Sequence, residues 1–101
     1  MDALAATGVR FENAYCQVPL TPPSHASIFT GLFPPSHGVR DFSGTGLRPE
    51  TPTLASLLKL QGYSTAAFGK YHETAPWEVS VSGPFDRWPT HSGFDKFYGF
   101  I

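Results

Sequence analysis

The stretch Pro19 to Gly38 reads P-L-T-P-P-S-H-A-S-I-F-T-G-L-F-P-P-S-H-G. It sets a hydroxyl, Thr21, before two prolines, then Ser24 and His25, then a short apolar run. Pro22 and Pro23 have a preset φ and no amide donor, which suits the first turn of a helix. Ile28, Phe29 and Leu32 give that helix an apolar face, and Gly31 is placed to stop it in a left-handed cap. Thr21 is then expected just ahead of the helix N-terminus, facing free amides and the positive end of the dipole. A nucleophile attacking a sulfate or phosphate ester needs such a place, because negative charge is stabilised there. The same position is also where an ordinary N-cap sits.

A second pair of groups lies in Gly69-Lys70-Tyr71-His72. Residues two apart on an extended chain leave the same face, so Lys70 and His72 can point to one place. A cation there neutralises ester oxygens, and a histidine can give a proton to the leaving group. The plain alternative is a surface lysine and a solvated histidine at a strand end. Glu73 and His91 lie nearby in sequence and read as solvated loop residues. Trp77, Phe85 and Trp88 could line a pocket for an aromatic substrate or cover a neighbouring element. Ser43-Gly44-Thr45-Gly46 is a lone G-x-G, which reads as a turn rather than a phosphate cradle.

These groups need elements to position them. Met1 to Thr7 reads as the last turns of a helix stopped by Gly8. Val9 to Tyr15 alternates and reads as a strand. Val39 to Glu50 is a loop. Thr51 is the expected N-cap of a further helix with Pro52 in its first position. Leu54, Leu57, Leu58 and Gln61 continue that helix, and Gly62 closes it. Tyr63 to Phe68 reads as a strand suited to a buried position. Gly69 to Ser92 has no clear period, and a loop that long is usually functional or contacts something else. Gly93 to Ile101 is a last short strand. Strands separated by helical crossovers predict parallel pairing in an α/β sheet.

Other functions are excluded by composition. A net charge of −1 argues against a non-specific nucleic-acid binder. No apolar run is long enough for a membrane span. The single cysteine, Cys16, has no internal disulfide partner and reads as a small buried residue near a strand end. The 101 residues are too few to cover both faces of a doubly wound sheet, so a fragment of a larger domain is expected.

Four blocks taken together resemble the N-terminal part of sulfatases, in the alkaline phosphatase-like superfamily. They are L-A-A-T-G-V-R-F-E-N-A-Y, T-P-P-S-H-A-S-I-F-T-G-L-F-P-P-S-H-G-V, T-P-T-L-A-S-L-L-K-L-Q-G-Y-S-T-A-A-F-G-K-Y-H and G-F-D-K-F-Y-G-F, in the family's order over essentially the whole chain. The resemblance implies a partial α/β/α sandwich, with residues 1–101 as part of an N-terminal catalytic domain. The family signature is C/S-x-P-S-R, whose first residue becomes formylglycine, the nucleophile and a metal ligand. Thr21 stands there, and its β-methyl blocks conversion to that aldehyde. His25 stands where the signature has Arg. Thr21, Pro23 and His25, with Thr30-Gly31-Leu32-Phe33-Pro34 and His37-Gly38, are similar to the related nucleotide pyrophosphatase/phosphodiesterases, which use unmodified Thr. Lys70 and His72 match the sulfatase G-K-W-H, whose Lys and His contact the sulfate. Residues 70–101 look most like an arylsulfatase.

The resemblance implies Thr21, His25, Lys70 and His72 as catalytic residues and Thr21 as a metal ligand. It implies a divalent ion, calcium in the sulfatase pattern or zinc in the phosphodiesterase pattern, with ligands also outside this chain. The substrate would be a small-molecule or glycan sulfate or phosphate ester. The rest of the parent domain would be required, and the isolated chain is expected to be inactive. A sulfatase-like domain without catalysis is the other class left open.

Overall fold

A computed structural model describes residues 1–44 and 46–101; the expected turn at 43–46 therefore lies partly outside the described residues. Helix α1 runs Asp2–Thr7, α2 Thr21–Thr30, α3 Pro34–His37 and α4 Leu54–Leu60. Strands β1, Ala66–Lys70, and β2, Lys96–Phe100, form a parallel pair with Phe68 opposite Tyr98 and Lys70 opposite Phe100. The crossover between them carries two short 3-10 turns, Pro76–Glu78 and Pro89–His91.

Helix α2 forms where the prolines and Gly31 predict, but the expected apolar face is not buried as a stripe: Ile28 is exposed, Leu32 lies past the helix end, and of the three only Phe29 packs inward. Pro22 and Pro23 occupy its first turn, and Gly31 ends it at φ 70, in the left-handed region that favours glycine. Leu20, not Thr21, is the N-cap, so Thr21 is the first helical residue. Helix α4 starts later than expected. Its cap is Thr53 rather than Thr51, because Ser56, three residues on, completes a reciprocal pair. The Ser56 amide donates to Thr53 Oγ1 at 3.1 Å and the Thr53 amide donates to Ser56 Oγ at 2.9 Å. Thr51 has no such partner three residues on, since Leu54 is apolar.

Three expectations are corrected. Val9 to Tyr15 is not a strand: a strand needs a neighbour for its ladder, and among the described residues only β1 and β2 pair. Gly8 ends α1 in an extended conformation, φ −112, not in a left-handed cap. Cys16 is exposed rather than buried, since no strand forms beside it to cover it.

The strand expected over Tyr63 to Phe68 sits slightly later, and one side of it is bare. Phe68 and Tyr98 are 77% and 81% exposed. Helix α2 meets the residues that flank the pair. Phe29 stacks on Tyr71 at 6.0 Å between ring centroids and meets Phe94 edge-on at the same distance. Tyr71 in turn meets Phe97 at 6.2 Å. Such aromatic contacts contribute roughly 1 kcal/mol each beyond burial. They fix α2 against the end of β1, which brings the two chemically interesting stretches together. Ala26, Val39 and Leu47 form the small apolar core beneath.

Candidate active site

Residues four apart on a helix share a face, so Thr21 and His25 project to the same side of α2. The Thr21 hydroxyl has no hydrogen-bond partner among the described residues. Its cap role is gone because Leu20 takes the cap, Pro23 two residues on has no amide hydrogen, and the Ser24 amide three residues on is engaged by Leu20 O. The helix start is also poorer in donors than expected. Among the described residues the amides of Leu20 and Thr21 have no acceptor, while Ser24 N–H donates to Leu20 O at 3.1 Å.

His25 bridges to the end of β1. Its Nδ1 lies 3.3 Å from the carbonyl oxygen of Tyr71, the residue between Lys70 and His72. A carbonyl only accepts, so Nδ1 carries the hydrogen and Nε2 is turned away from the Tyr71 main chain. Phe29 packs near the ring at 6.1 Å, tilted. The same Nδ1 lies 3.6 Å from Glu73 Oε1.

Lys70 closes β1 and is exposed. The simple alternation expected of Lys70 and His72 is broken, because His72 has φ 57, a strained value for a non-glycine residue. His72 still comes within electrostatic reach of the other two groups. Burial pushes its pKa below the usual histidine value, and the charges of Lys70 and His25 lower it further. Its Nδ1 is buried without a partner, and its ring lies 5.6 Å from that of Phe42.

Beside these groups is a cavity of about 140 Å³ whose wall includes Pro22, Asp41, Phe42, His72, Glu73 and Thr74. Thr21, His25 and Lys70 are not in that wall; Pro22 and His72 are the links to it. Glu73 is 2% exposed, and neither carboxyl oxygen has a hydrogen-bond partner. Burial pushes its pKa up to about 9, so it is neutral at pH 7. Gly46 backs it: a side chain there would put Cβ 2.5 Å from the Glu73 carbonyl oxygen.

Glu73 was read as a solvated loop residue, and the structure corrects that. The only hint in the sequence was its place directly after His72. His91 stays exposed in its 3-10 turn, away from the site. The three aromatic residues of the long loop organise a different centre. Phe85 meets Trp88 edge-on at 5.0 Å, and Trp88 Nε1 donates to Glu78 O at 2.6 Å. Arg87 covers the Trp77 ring and forms an ion pair with the fully buried Glu78.

The expected metal does not fit these residues alone. Among the described residues no three His, Cys, Asp or Glu side chains converge as ligands. Thr21 offers a single neutral hydroxyl, and a divalent ion needs several oxygen or nitrogen donors. No helix among the described residues is long and apolar enough to cross a membrane.

The profile of the family described as Sulfatase matches residues 1–101. The chain belongs to the sulfatase family. It is 37% identical to steryl-sulfatase of Homo sapiens over 98% of its length, covering 18% of that protein. It is 38% identical to arylsulfatase A of Bos taurus, again over 98% of its length and 19% of the relative. The chain therefore spans about a fifth of the length of these curated relatives. A solved structure described as Ps i-CgsB in complex with k-i-k-neocarrahexaose superposes with a TM-score of 0.80 at 31% identity, over 99% of this chain and 22% of that one. The α2–β1–β2 unit is thus a portion of an alkaline phosphatase-like α/β domain, and none of its strand residues is buried.

Proposed function

We propose that the full-length protein hydrolyses sulfate esters and that Thr21, His25, Lys70 and His72 belong to its active site. The contact of His25 Nδ1 with the Tyr71 carbonyl is the observation that carries this reading, since it joins the start of α2 to the Lys70–His72 pair. Thr21 Oγ would attack sulfur and give its proton to His25 Nε2. The bond from sulfur to the leaving oxygen would break, and that oxygen would take a proton from His72. Water would then attack sulfur, giving one proton to His72, and hydrogen sulfate would leave as His25 returns its proton to the Thr21 oxygen. Lys70 would hold the ester oxygens. In the free protein burial above all, and the Lys70 charge beside it, lower the His72 pKa and favour its neutral form. An anionic ester bound beside it opposes that effect and favours the protonated imidazole.

A phosphodiesterase or phosphatase using unmodified Thr21 is the second reading. It is favoured by the Thr21 methyl group and by His25 at the Arg position. Either chemistry would draw its divalent ion's remaining ligands from outside these residues. The test is turnover of a nitrophenyl sulfate, a nitrophenyl phosphate and a phosphodiester by the full-length protein supplied with calcium or zinc, in wild type and Thr21→Ala. Sulfate turnover lost in Thr21→Ala supports the first reading. Turnover of only the phosphoesters, lost in the same variant, supports the second. No turnover on any of the three supports a sulfatase-like domain without catalysis.

A further inference from the structure

Glu73 is the buried group for which the proposed chemistry has no use. A buried carboxyl with both oxygens unpartnered is costly, and such groups are rare in folded proteins. A polar group on another element, His25 Nδ1, lies 3.6 Å from its Oε1. The tautomer of a working histidine is set by what its second nitrogen touches. Two acceptors converge on that nitrogen: the Tyr71 carbonyl at 3.3 Å and Glu73 Oε1 at 3.6 Å. Both come from the short segment after β1, and Gly46 lets the loop pack directly on the Glu73 main chain. The first contact is long for a hydrogen bond, and the second needs a closer approach to become one. Hydrogen bonds in a site of this kind commonly tighten once substrate is bound.

We propose that Glu73 is a positioning residue for His25: its buried carboxyl, with the Tyr71 carbonyl, pins the imidazole with Nδ1–H inward and leaves Nε2 as the working nitrogen beside Thr21. A neutral carboxyl serves this purpose, because its carbonyl oxygen accepts a hydrogen bond as an amide oxygen does. Glu73→Gln is therefore the conservative variant and Glu73→Met the disruptive one. This inference rests on the hydrolase reading for its kinetic part only. Its structural part is read without any turnover.

The experiment uses full-length protein with ¹⁵N-labelled histidine, with His25 assigned by the signals lost in His25→Gln. Wild type and Glu73→Gln are expected to show the Nδ1–H form alone. Glu73→Met is expected to show both tautomers, and to lose kcat on the nitrophenyl sulfate or phosphoester by roughly 10- to 100-fold with KM changed about twofold or less, as when the group orienting a working histidine is removed. A wild-type protein in the Nε2–H form overturns the proposal, whatever the variants do. So does a Glu73→Met protein that keeps the single tautomer, or a Glu73→Gln protein as disordered as Glu73→Met. Should Glu73→Met fail to fold, Glu73→Ala is read by the same criteria. An inactive protein with the expected tautomer pattern rejects the hydrolase reading and leaves the positioning of His25 supported.

Discussion

Replacing Glu73 by glutamine should make the protein more stable, and by more as the pH rises. The folded protein holds the Glu73 proton up to about pH 9, against a usual value of 4.5. Between those values the unfolded chain has lost that proton and the folded one has not. Stability must then fall with rising pH, because the folded state binds more protons. Each unit of difference corresponds to about 1.4 kcal/mol, so the ceiling is about 6 kcal/mol above pH 9 and about 3 kcal/mol at pH 7. Glutamine fills nearly the same volume and never ionises, so this contribution disappears. Urea unfolding of both proteins from about pH 5 to about pH 9 reads the effect as the difference between their stabilities. That difference should be small at the acid end and should grow by about 1.4 kcal/mol per pH unit. Parallel stability profiles would show that Glu73 is solvated or paired, and the account of its burial would be wrong.

Other perturbations test neighbouring contacts. Lys70→Met removes one of the charges that lowers His72, so the His72 titration midpoint should rise when followed by NMR. The same variant should raise KM for an anionic ester, since a cation that meets its oxygens is gone. Thr53→Ala breaks the reciprocal cap of α4 and also the hydrogen bond that Thr53 Oγ1 donates to Ser92 O at 2.6 Å. It should cost about 1–2 kcal/mol in urea unfolding. Arg87→Met leaves the fully buried Glu78 carboxylate without its cation and should cost about 3 kcal/mol or more by the same assay.

The parts of this molecule written in local chemistry were legible before the structure. Pro22, Pro23 and Gly31 dictate where α2 begins and ends through φ alone, and the parallel pairing follows from strands too far apart in sequence for a hairpin. Val9 to Tyr15 failed for a non-local reason. Alternation describes a strand that has a partner, and nothing in those residues says whether one is present. Phe68 misled in the same way, since its apolar side chain lies on the sheet face that no helix covers. Glu73 was illegible because the loop that packs on its main chain, at Gly46, lies far away in sequence. Lys70 and His72 were found by spacing, although the positive φ of His72 shows that strand alternation is not what brings them together.

The same local chemistry separates a structural from a chemical role for Thr21. A threonine that caps a helix accepts hydrogen bonds from the amides two or three residues on, and losing it costs about 1 kcal/mol. Thr21 sits one position too late for that: of the residues two and three on, Pro23 has no amide hydrogen and the Ser24 amide already donates to Leu20 O at 3.1 Å. Proline suits this turn because it needs no amide donor there, and for that reason it gives a capping hydroxyl nothing to accept. Among the described residues the Thr21 hydroxyl thus has no partner at the helix start, on the face that carries His25. Thr21→Ala should then change stability by less than about 0.5 kcal/mol, the range for substitutions that remove no cap or buried bond. A loss near the full capping value would mean that the hydroxyl has a structural partner. Unchanged stability together with lost turnover would leave chemistry as the role of this hydroxyl.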